Sequence, residues 1–312
     1  MTLTQLSAFV LVSRLGSVKS AAIALDVSEP AVSQALAALR KHFDDPLVVR
    51  GTQGMALTPG GKRLLPIAAQ MVAAGADAEA AVRAGQGAPE LLRVVATSTI
   101  AEFVAAPLAD AFARRAGQAV DVSSGLASGD EIPVLIANRL ADIALGPPSG
   151  DVELGLESDP IFRGQLVVVA SAKARKRHGP PPWLVDPAGA ETGGDVGRLT
   201  RRLGIAESRV QVYPNQTAAW AAVANGDGIA PAYAHLVARQ VARGELVVVE
   251  TPATPLETSW YATTLSRDRR SIAASSLRRF LGTPEAMQLM RFPGSGVPPS
   301  RFRPPVYVTI WS

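Results

Sequence analysis

The apolar and polar positions near the N-terminus alternate with the period of two short amphipathic helices separated by a tight turn. Apolar residues recur at spacings of three and four within 18–25 and again after Ser28, as they do along one helix face. Asp26 and Val27 form the predicted turn. Ser28 is a suitable N-cap for the second helix, and Pro30 is tolerated because first-turn amides have no acceptor within the helix.

The second predicted helix separates an apolar stripe from a polar outer face. The stripe consists of Ala31, Val32, Ala35, Leu36 and Leu39. The outer face carries small or hydrogen-bonding residues, namely Ser28, Glu29, Ser33, Gln34, Ala37 and Ala38. Residues of this kind suit a helix that lies in the major groove of DNA. An ordinary helical hairpin has the same spacing, so the spacing alone leaves both interpretations open.

A predicted β-hairpin follows this pair of helices. Residues 46–50 and 55–58 have the composition of two short strands, and 51–54 form the turn between them. Arg50 ends the first strand, where its side chain is within reach of a DNA phosphate. The hairpin corresponds to the wing of a winged helix-turn-helix domain.

The hairpin leads into a long predicted helix over 59–85, which spans about 40 Å at 1.5 Å per residue. Its apolar and small residues form a heptad-like seam of Leu64, Ala68, Met71, Gly75, Ala78 and Val82. Pro66 lies near the start, where it bends at most the first turns. The seam favours pairing with a partner helix, and packing of a surface helix on its own domain is the alternative.

The sequence motifs in these elements resemble those of the LysR-type bacterial transcriptional regulators. The resemblance is carried by Ser28-Glu-Pro-Ala-Val-Ser33, the wing and Leu57-Thr-Pro-Gly-Gly61, and it covers about residues 3–65. It implies a homodimer or tetramer that binds double-stranded DNA at an inverted repeat, senses a small-molecule effector, and has RNA polymerase as a further candidate partner. The DNA-contacting residues that it implies are Ser28, Glu29, Pro30, Ser33, Gln34 and the wing residue Arg50.

Two departures from the family pattern concern the DNA contacts. Glu29 stands where the family usually has glutamine, and a carboxylate only accepts hydrogen bonds and is repelled by phosphate. Glu29 therefore either accepts from a cytosine amino group or points away from the DNA. Thr52, Gln53 and Gly54 stand in the wing where more basic residues are common, which indicates a weaker grip on the DNA backbone.

Strands and helices alternate beyond the Gly/Pro-rich break at 85–89, which predicts an α/β fold with a largely parallel sheet. The alternation resembles the two-lobed periplasmic binding-protein architecture that the family uses as its effector domain. The predicted organisation is a winged helix-turn-helix domain at 1–58, a linker helix at 59–88, an effector domain at 89–290 and a Pro-rich extension at 291–312. Within the effector domain, lobe 1 comprises about 89–165 and 265–290, and lobe 2 about 166–264.

Ligands of open α/β lobes bind beyond the C-terminal ends of the strands, near helix starts. The predicted effector-binding residues at such positions are Thr97, Ser98, Thr99, Ser128, Asn215, Gln216 and Pro231. Their hydroxyls and amides suit a small anion such as a carboxylate. The alternative for each Ser, Thr and Asn is a helix cap, which is their usual role at a helix start.

The composition is compatible with a DNA-binding protein and excludes several other classes. The chain of 312 residues has a formal net charge of +4, and residues 1–63 hold seven Lys/Arg against four acids, a local charge of +3. This modest charge favours a dimer that pools two basic surfaces. Because the chain has no cysteine, disulfides and thiolate metal sites are excluded, and its three histidines are scattered.

The sequence contains no signal peptide and no apolar run of membrane-spanning length, so we expect a cytoplasmic protein with no membrane partner. We also expect no cofactor, metal or catalytic residue, because nucleophile-elbow, P-loop and zinc-protease motifs are all missing. An architectural protein that binds DNA without sequence preference and carries a small-molecule-binding domain is the alternative function.

Overall fold

The computed structural model describes residues 1–51, 54–149, 154–173, 179–190 and 194–293. Its N-terminal domain contains three helices and an antiparallel hairpin: α1 (Leu3–Leu15), α2 (Val18–Leu25), α3 (Glu29–Phe43), β1 (Val48–Gly51) and β2 (Gly54–Leu57). Ser28 accepts a hydrogen bond from the amide of Ala31, which confirms it as the N-cap of α3. Asp26 has a φ of 52° and ends α2 in the left-handed conformation.

The apolar stripe predicted for α3 is largely confirmed. Val32, Leu36 and Leu39 are buried in the core of the N-terminal domain, and Ala35 is half-buried. Ala31 is exposed, so this part of the prediction is wrong. Ala31 lies in the first turn of α3, next to the exposed residues that precede it.

Hydrogen bonds connect the start of the fourth helix, α4, to the base of the hairpin. The Asp45 Oδ1 atom accepts hydrogen bonds from the Leu47 amide at 2.6 Å and the Thr58 hydroxyl at 2.8 Å. Thr58 in turn caps α4 (Pro59–Gly85) by accepting from the Gly61 amide at 2.9 Å. Glycine is required in the Pro-Gly-Gly sequence, since a Cβ at Gly61 would lie 2.1 Å from the Leu47 carbonyl oxygen.

Helix α4 has the bounds that the sequence predicted, but its seam has two different environments. Ala68 is buried, and Leu64 and Gly75 are half-buried in the N-terminal part of the helix, which packs against α1. The remaining seam positions Met71, Ala78 and Val82 are exposed. The alternative of packing on its own domain therefore holds for one side of the helix and not for the other.

The rest of the described chain forms one nine-stranded mixed sheet with helices on it. Its strands are β3 (Glu90–Ala96), β4 (Val120–Leu126), β5 (Ile143–Gly146), β6 (Leu156–Ser171), β7 (Trp183–Val185), β8 (Val210–Val212), β9 (Ile229–Tyr233), β10 (Leu246–Val249) and β11 (Leu256–Leu265). The order is β4-β3-β5-β11-β6-β9-β7-β8, and β10 also pairs with β6.

The helices of this region include one long run assembled from three segments. Helix α5 (Ser98–Ile100), a π-helical turn (Ala101–Ala105) and α6 (Ala106–Ala116) follow one another without a break. The other helices are α7 (Ile132–Ala137), α8 (Asp195–Arg202), α9 (Gln216–Ala224), α10 (Ala234–Ala242), α11 (Ile272–Leu281) and α12 (Pro284–Arg291).

Two long antiparallel strands, β6 and β11, divide the sheet into two lobes. They pair with each other along nearly their full length, from Leu256 opposite Leu166 to Leu265 opposite Leu156. Lobe 1 adds the parallel strands β3, β4 and β5 at one end, and lobe 2 adds β7, β8, β9 and β10 at the other. The mixed α/β class with two lobes is as predicted. The prediction of a largely parallel sheet is wrong for the sheet as a whole. Parallel pairs occur only within each lobe, because the crossing strands β6 and β11 pair antiparallel with their neighbours.

Lobe 1 also contacts the N-terminal domain and the linker helix. Helix α7 packs against α1, so the two hydrophobic cores are continuous at this point. The Arg139 guanidinium, just after α7, forms an ion pair at 3.1 Å with Asp77 of α4. The predicted C-terminal extension falls almost entirely on residues 294–312, which lie outside the described residues.

We predict that Gly61→Ala destabilises the N-terminal domain by about 1–3 kcal/mol, because the new methyl group would overlap backbone that cannot move away easily. The measurement is thermal unfolding followed by circular dichroism. Gly85→Ala is the matched control on the same helix. A Cβ there meets no atom within 4 Å, so alanine should be neutral or stabilise α4 by roughly 0.5–1 kcal/mol. Equal unfolding midpoints for the two variants would contradict the close approach at Gly61.

Candidate functional site

The outer face of α3 presents the predicted DNA-binding residues to solvent. Ser28, Glu29, Pro30, Ser33 and Gln34 are all exposed at the N-terminal half of the helix. Glu29 occupies the first turn, where a carboxylate interacts favourably with the positive end of the helix dipole. This role is available to Glu29 whether or not it touches a base.

Arg50 belongs to β1, and its side chain lies outside the described part of the structure, as do residues 52–53 of the wing turn. Sequence reasoning missed Arg40, which fixes the wing from α3. Its Nε donates to the Pro46 carbonyl at 2.8 Å and its Nη2 to the Val48 carbonyl at 3.0 Å. Arg40 therefore couples the position of the wing to that of α3, the predicted recognition helix.

A cavity of about 240 Å³ lies between the two lobes. Its lining combines residues that follow the strands of lobe 1, residues of lobe 2 and the crossing strand β11. The principal polar and aromatic lining residues are Thr97, Ser98, Thr99, Asp130, Asp186, Asp195, Tyr233, Ser259 and Trp260. We call this cavity the interlobe cleft.

The predicted effector-binding residues divide into two groups. Thr97, Ser98 and Thr99 line the interlobe cleft and are half-buried. The lining does not include Ser128, Asn215, Gln216 or Pro231. Asn215 has the alternative role of a helix cap, because it accepts from the Ala218 amide at 2.8 Å at the start of α9. Ser128 accepts from the Glu131 amide at 3.3 Å in the turn before α7.

The other two predicted residues have partners behind the cleft. Gln216 is buried and donates through Nε2 to Asp186 Oδ1 at 2.8 Å. The Pro231 carbonyl accepts from the indole of Trp220 at 3.2 Å. Both residues therefore have intramolecular partners, and a direct ligand contact by any of these four residues stays a prediction.

Asp186 lines the interlobe cleft and was missed by the sequence analysis. It follows β7, is 1% exposed, and accepts hydrogen bonds from Ser98 Oγ at 2.5 Å, Gln216 Nε2 and the Gly189 amide. Because Ser98 belongs to lobe 1 and Asp186 to lobe 2, this carboxylate bridges the lobes at the edge of the cleft. Its position after a three-residue strand gave no pattern from which to predict it.

A second buried carboxylate, Glu102, bridges the lobes further back. It belongs to the π-helical turn of lobe 1 and accepts from the amides of Gln216 at 3.1 Å and Thr217 at 3.0 Å, at the start of α9 in lobe 2. The Thr217 hydroxyl also donates to it at 2.5 Å. The pKa of Glu102 is raised, and burial is the main cause. The nearby Asp186 adds to the rise, whereas the hydrogen bonds from Thr217 and Gln216 act in the opposite direction and lower the pKa.

An aromatic cluster lies beside the cleft, and two of its members, Tyr233 and Trp260, line the cavity. The Tyr233 hydroxyl donates to Asp195 Oδ2 at 3.2 Å, and burial is the main cause that raises the pKa of this tyrosine. The His235 ring lies 5.3 Å from the Trp260 ring and 4.7 Å from the Phe162 ring, measured between centroids. Burial among these rings lowers the pKa of His235 to about 4, so the imidazole is neutral at physiological pH.

Within the described residues, no three His, Asp or Glu side chains come together as a metal site requires. The helices in that part of the chain also lack the combination of length and hydrophobicity needed to cross a bilayer.

Comparison with known proteins identifies both parts of the chain. Residues 85–283 match the family described as LysR substrate binding domain, and residues 3–62 match the bacterial regulatory helix-turn-helix protein, lysR family. The chain belongs to the LysR family of bacterial transcriptional regulators. It is accordingly a sequence-specific DNA-binding regulator with an effector-binding domain.

Relatives within the LysR family match over long stretches. An uncharacterised HTH-type transcriptional regulator of Mycobacterium tuberculosis is 35% identical over an alignment that covers 100% of both chains. The HTH-type transcriptional regulator BlaA of Streptomyces cacaoi is 31% identical, with 71% of this chain and 69% of BlaA aligned.

Solved LysR-family structures share the fold. Vibrio fischeri DarR, solved in complex with DNA, superposes with a TM-score of 0.52 at 20% identity, covering 91% of this chain and 99% of DarR. Full-length LysG of Corynebacterium glutamicum gives a TM-score of 0.50 at 20% identity, covering 92% of this chain and 98% of LysG.

We predict that acid destabilises this regulator through His235. The pKa of His235 is about 4 in the folded protein, against an ordinary value of 6.5 that applies to the unfolded chain. The unfolded chain therefore binds more protons between these two pH values. Stability is therefore fully present above pH 6.5 and is lost as the pH falls towards 4, by up to about 3 kcal/mol.

Urea unfolding between pH 7 and pH 4 measures this loss. His235→Gln should flatten that part of the pH profile, since glutamine takes up no proton. His42→Gln, at an exposed position of α3, is the matched control. A His235→Gln profile as steep as that of the parent protein would show that other groups cause the acid sensitivity.

Proposed function

We propose that this protein is a homo-oligomeric regulator that reads an inverted-repeat operator with α3 and responds to a small molecule in the interlobe cleft. The observation that carries the proposal is the exposed outer face of α3 combined with a two-lobed domain whose cleft lies at the ends of the lobe 1 strands. Such a regulator acts by binding rather than by catalysis, next to the chromosome in the cytoplasm.

The N-terminal domain supports specific recognition of bases. Ser33 and Gln34 lie on the exposed side of α3, opposite the buried Val32, Leu36 and Leu39. A glutamine amide can form two hydrogen bonds with adenine in the major groove, and a serine hydroxyl donates or accepts. Arg40 holds the wing beside this helix, which favours a wing contact with the DNA backbone.

The linker helix supports assembly of two copies. Its exposed apolar residues Ile67, Met71 and Val82, together with Ala78, lie within about one-sixth of a turn of each other at 100° per residue. Ile67 and Val82 are 55% and 61% exposed, which is high for apolar side chains on one helix face. Pairing with the same helix of a second copy would bury this stripe and place two recognition helices on one DNA duplex.

The contacts between lobe 1 and the N-terminal part provide a route for the response. Helix α7 packs on α1, and Arg139 pairs with Asp77 of the linker helix. A ligand that favours one arrangement of the lobes by a few kcal/mol is sufficient to shift the arrangement of the DNA-binding domains. The effector is a small molecule, since the cleft of about 240 Å³ lies below the range of roughly 300–1,000 Å³ for drug-sized ligands.

In vitro selection from random duplex DNA at near-physiological salt tests the proposal. We expect enrichment of an interrupted inverted repeat, because a two-fold symmetric dimer presents two identical recognition helices. If no sequence is enriched and the binding disappears as the salt concentration rises, the interaction with DNA is electrostatic and nonspecific. That result would support the architectural alternative.

We predict that Gln34→Ala weakens binding to the selected operator by about 1–3 kcal/mol, the usual contribution of one bidentate base contact. Binding to unrelated DNA should change much less, because phosphate contacts remain. Fluorescence anisotropy with both DNAs measures the two affinities. Gln288→Ala, at an exposed position of α12, makes the same chemical change far from α3 and is the matched control. Equal operator affinity of Gln34→Ala and the parent protein would remove Gln34 from the recognition surface.

A further inference from the structure

The interlobe cleft has an acidic lining. Three carboxylates, Asp130, Asp186 and Asp195, border the cavity, and its described lining contains no Lys, Arg or His. The segments 150–153 and 191–193, which flank the lining in the chain, contain no Lys or Arg in the sequence.

One arginine near the cleft compensates part of this charge. Arg198 forms an ion pair with Asp195 from the next turn of α8, but its side chain is 48% exposed and does not line the cavity. The three hydrogen bonds that Asp186 accepts come from uncharged groups. The described lining therefore holds three carboxylates against one neighbouring arginine.

Two hydroxyl groups of the lining, those of Ser98 and Tyr233, add to its acceptor character. Ser98 donates its hydroxyl proton to Asp186 at 2.5 Å, and Tyr233 donates its own to Asp195 at 3.2 Å. A hydroxyl has one proton, so these two oxygens present only lone pairs to a ligand. Acceptors that face the same small cavity need a ligand that brings the donors.

The aromatic side of the cleft suits a cation as well. Trp260 and Tyr233 line the cavity, and their rings lie 5.5 Å apart in an edge-to-face arrangement. The face of a tryptophan or tyrosine ring attracts an ammonium or guanidinium group. A carboxylate ligand, which the sequence led us to expect, would instead meet the like charges of the lining aspartates.

We propose that the interlobe cleft binds a small molecule through a protonated amine or amidinium group. The cationic group donates hydrogen bonds to Asp130 and Asp195 and to the acceptor oxygens of Ser98 and Tyr233. Asp186 accepts a hydrogen bond from the Ser98 hydroxyl, so that the Ser98 oxygen is left to accept from the ligand. This inference rests on the proposed function, since it names the chemical class of the effector for the same cleft.

Ligand binding to the full-length protein tests the inference directly. The probes are 1,4-diaminobutane, agmatine and ornithine, compared with succinate and glutarate at equal ionic strength, by thermal unfolding and isothermal titration calorimetry. We expect at least one amine to raise the unfolding midpoint and to bind with a measurable Kd, and neither dicarboxylate to do so. No binding by any of the three amines, or binding of a dicarboxylate in the cleft, would overturn the proposal.

Charge-removing variants locate the binding site. The double variant Asp130→Asn, Asp195→Asn should weaken amine binding at least tenfold, because it removes the two carboxylates nearest to solvent without changing side-chain size. Asp110→Asn, at an exposed position of α6 outside the lining, removes one charge elsewhere and should leave the affinity unchanged. Calorimetry that gives the double variant and the parent protein the same affinity would place the amine outside the cleft.

Operator binding separates failure of this inference from failure of the proposed function. Amine binding that leaves both the affinity and the footprint on the selected operator unchanged would support the cationic ligand and contradict its effector role. A dicarboxylate that binds and changes operator binding would contradict the cationic ligand and support the proposed function of a ligand-responsive regulator.

Discussion

The arrangement of the two lobes depends on two buried carboxylates that accept hydrogen bonds across the lobe boundary. Glu102 accepts from the start of α9, and Asp186 accepts from Ser98 and Gln216. A buried carboxylate without donors would destabilise the fold, so each of them fixes the groups around it. The crossing strands β6 and β11 connect the lobes covalently and through their ladder, and the two carboxylates add hydrogen bonds across the boundary, one of which orients the Ser98 hydroxyl.

The same principle organises the N-terminal domain. Asp45 accepts a hydrogen bond from the Leu47 amide at the base of the wing, and Thr58 accepts one from the Gly61 amide at the start of α4. Arg40 donates to two backbone carbonyls of the wing. The recognition helix, the wing and the linker helix are therefore positioned by one connected set of hydrogen bonds. This connection explains why the Pro-Gly-Gly sequence follows the threonine, since a larger residue at Gly61 would separate α4 from the wing.

Much of the fold was predictable because local patterns decide it. The bounds of α4 agree with the periodicity of its small and apolar positions. The misses have a tertiary cause. Strand β7 has three residues and is recognised as a strand only through its parallel partners β8 and β9. Strand β6 begins at Leu156 and includes a polar stretch, which becomes part of the strand because it pairs with β11.

The sequence alone determined the family, the two-part organisation and the face of α3 that meets solvent, because caps, turns and helical periodicity act over a few residues. It also placed Thr97, Ser98 and Thr99 at the cleft, because they directly follow a buried strand. Only the tertiary structure decided the character of the cleft. Asp130, Asp186 and Asp195 come from three separate segments, and whether a serine or tyrosine hydroxyl donates or accepts is set by the carboxylate that folding brings beside it.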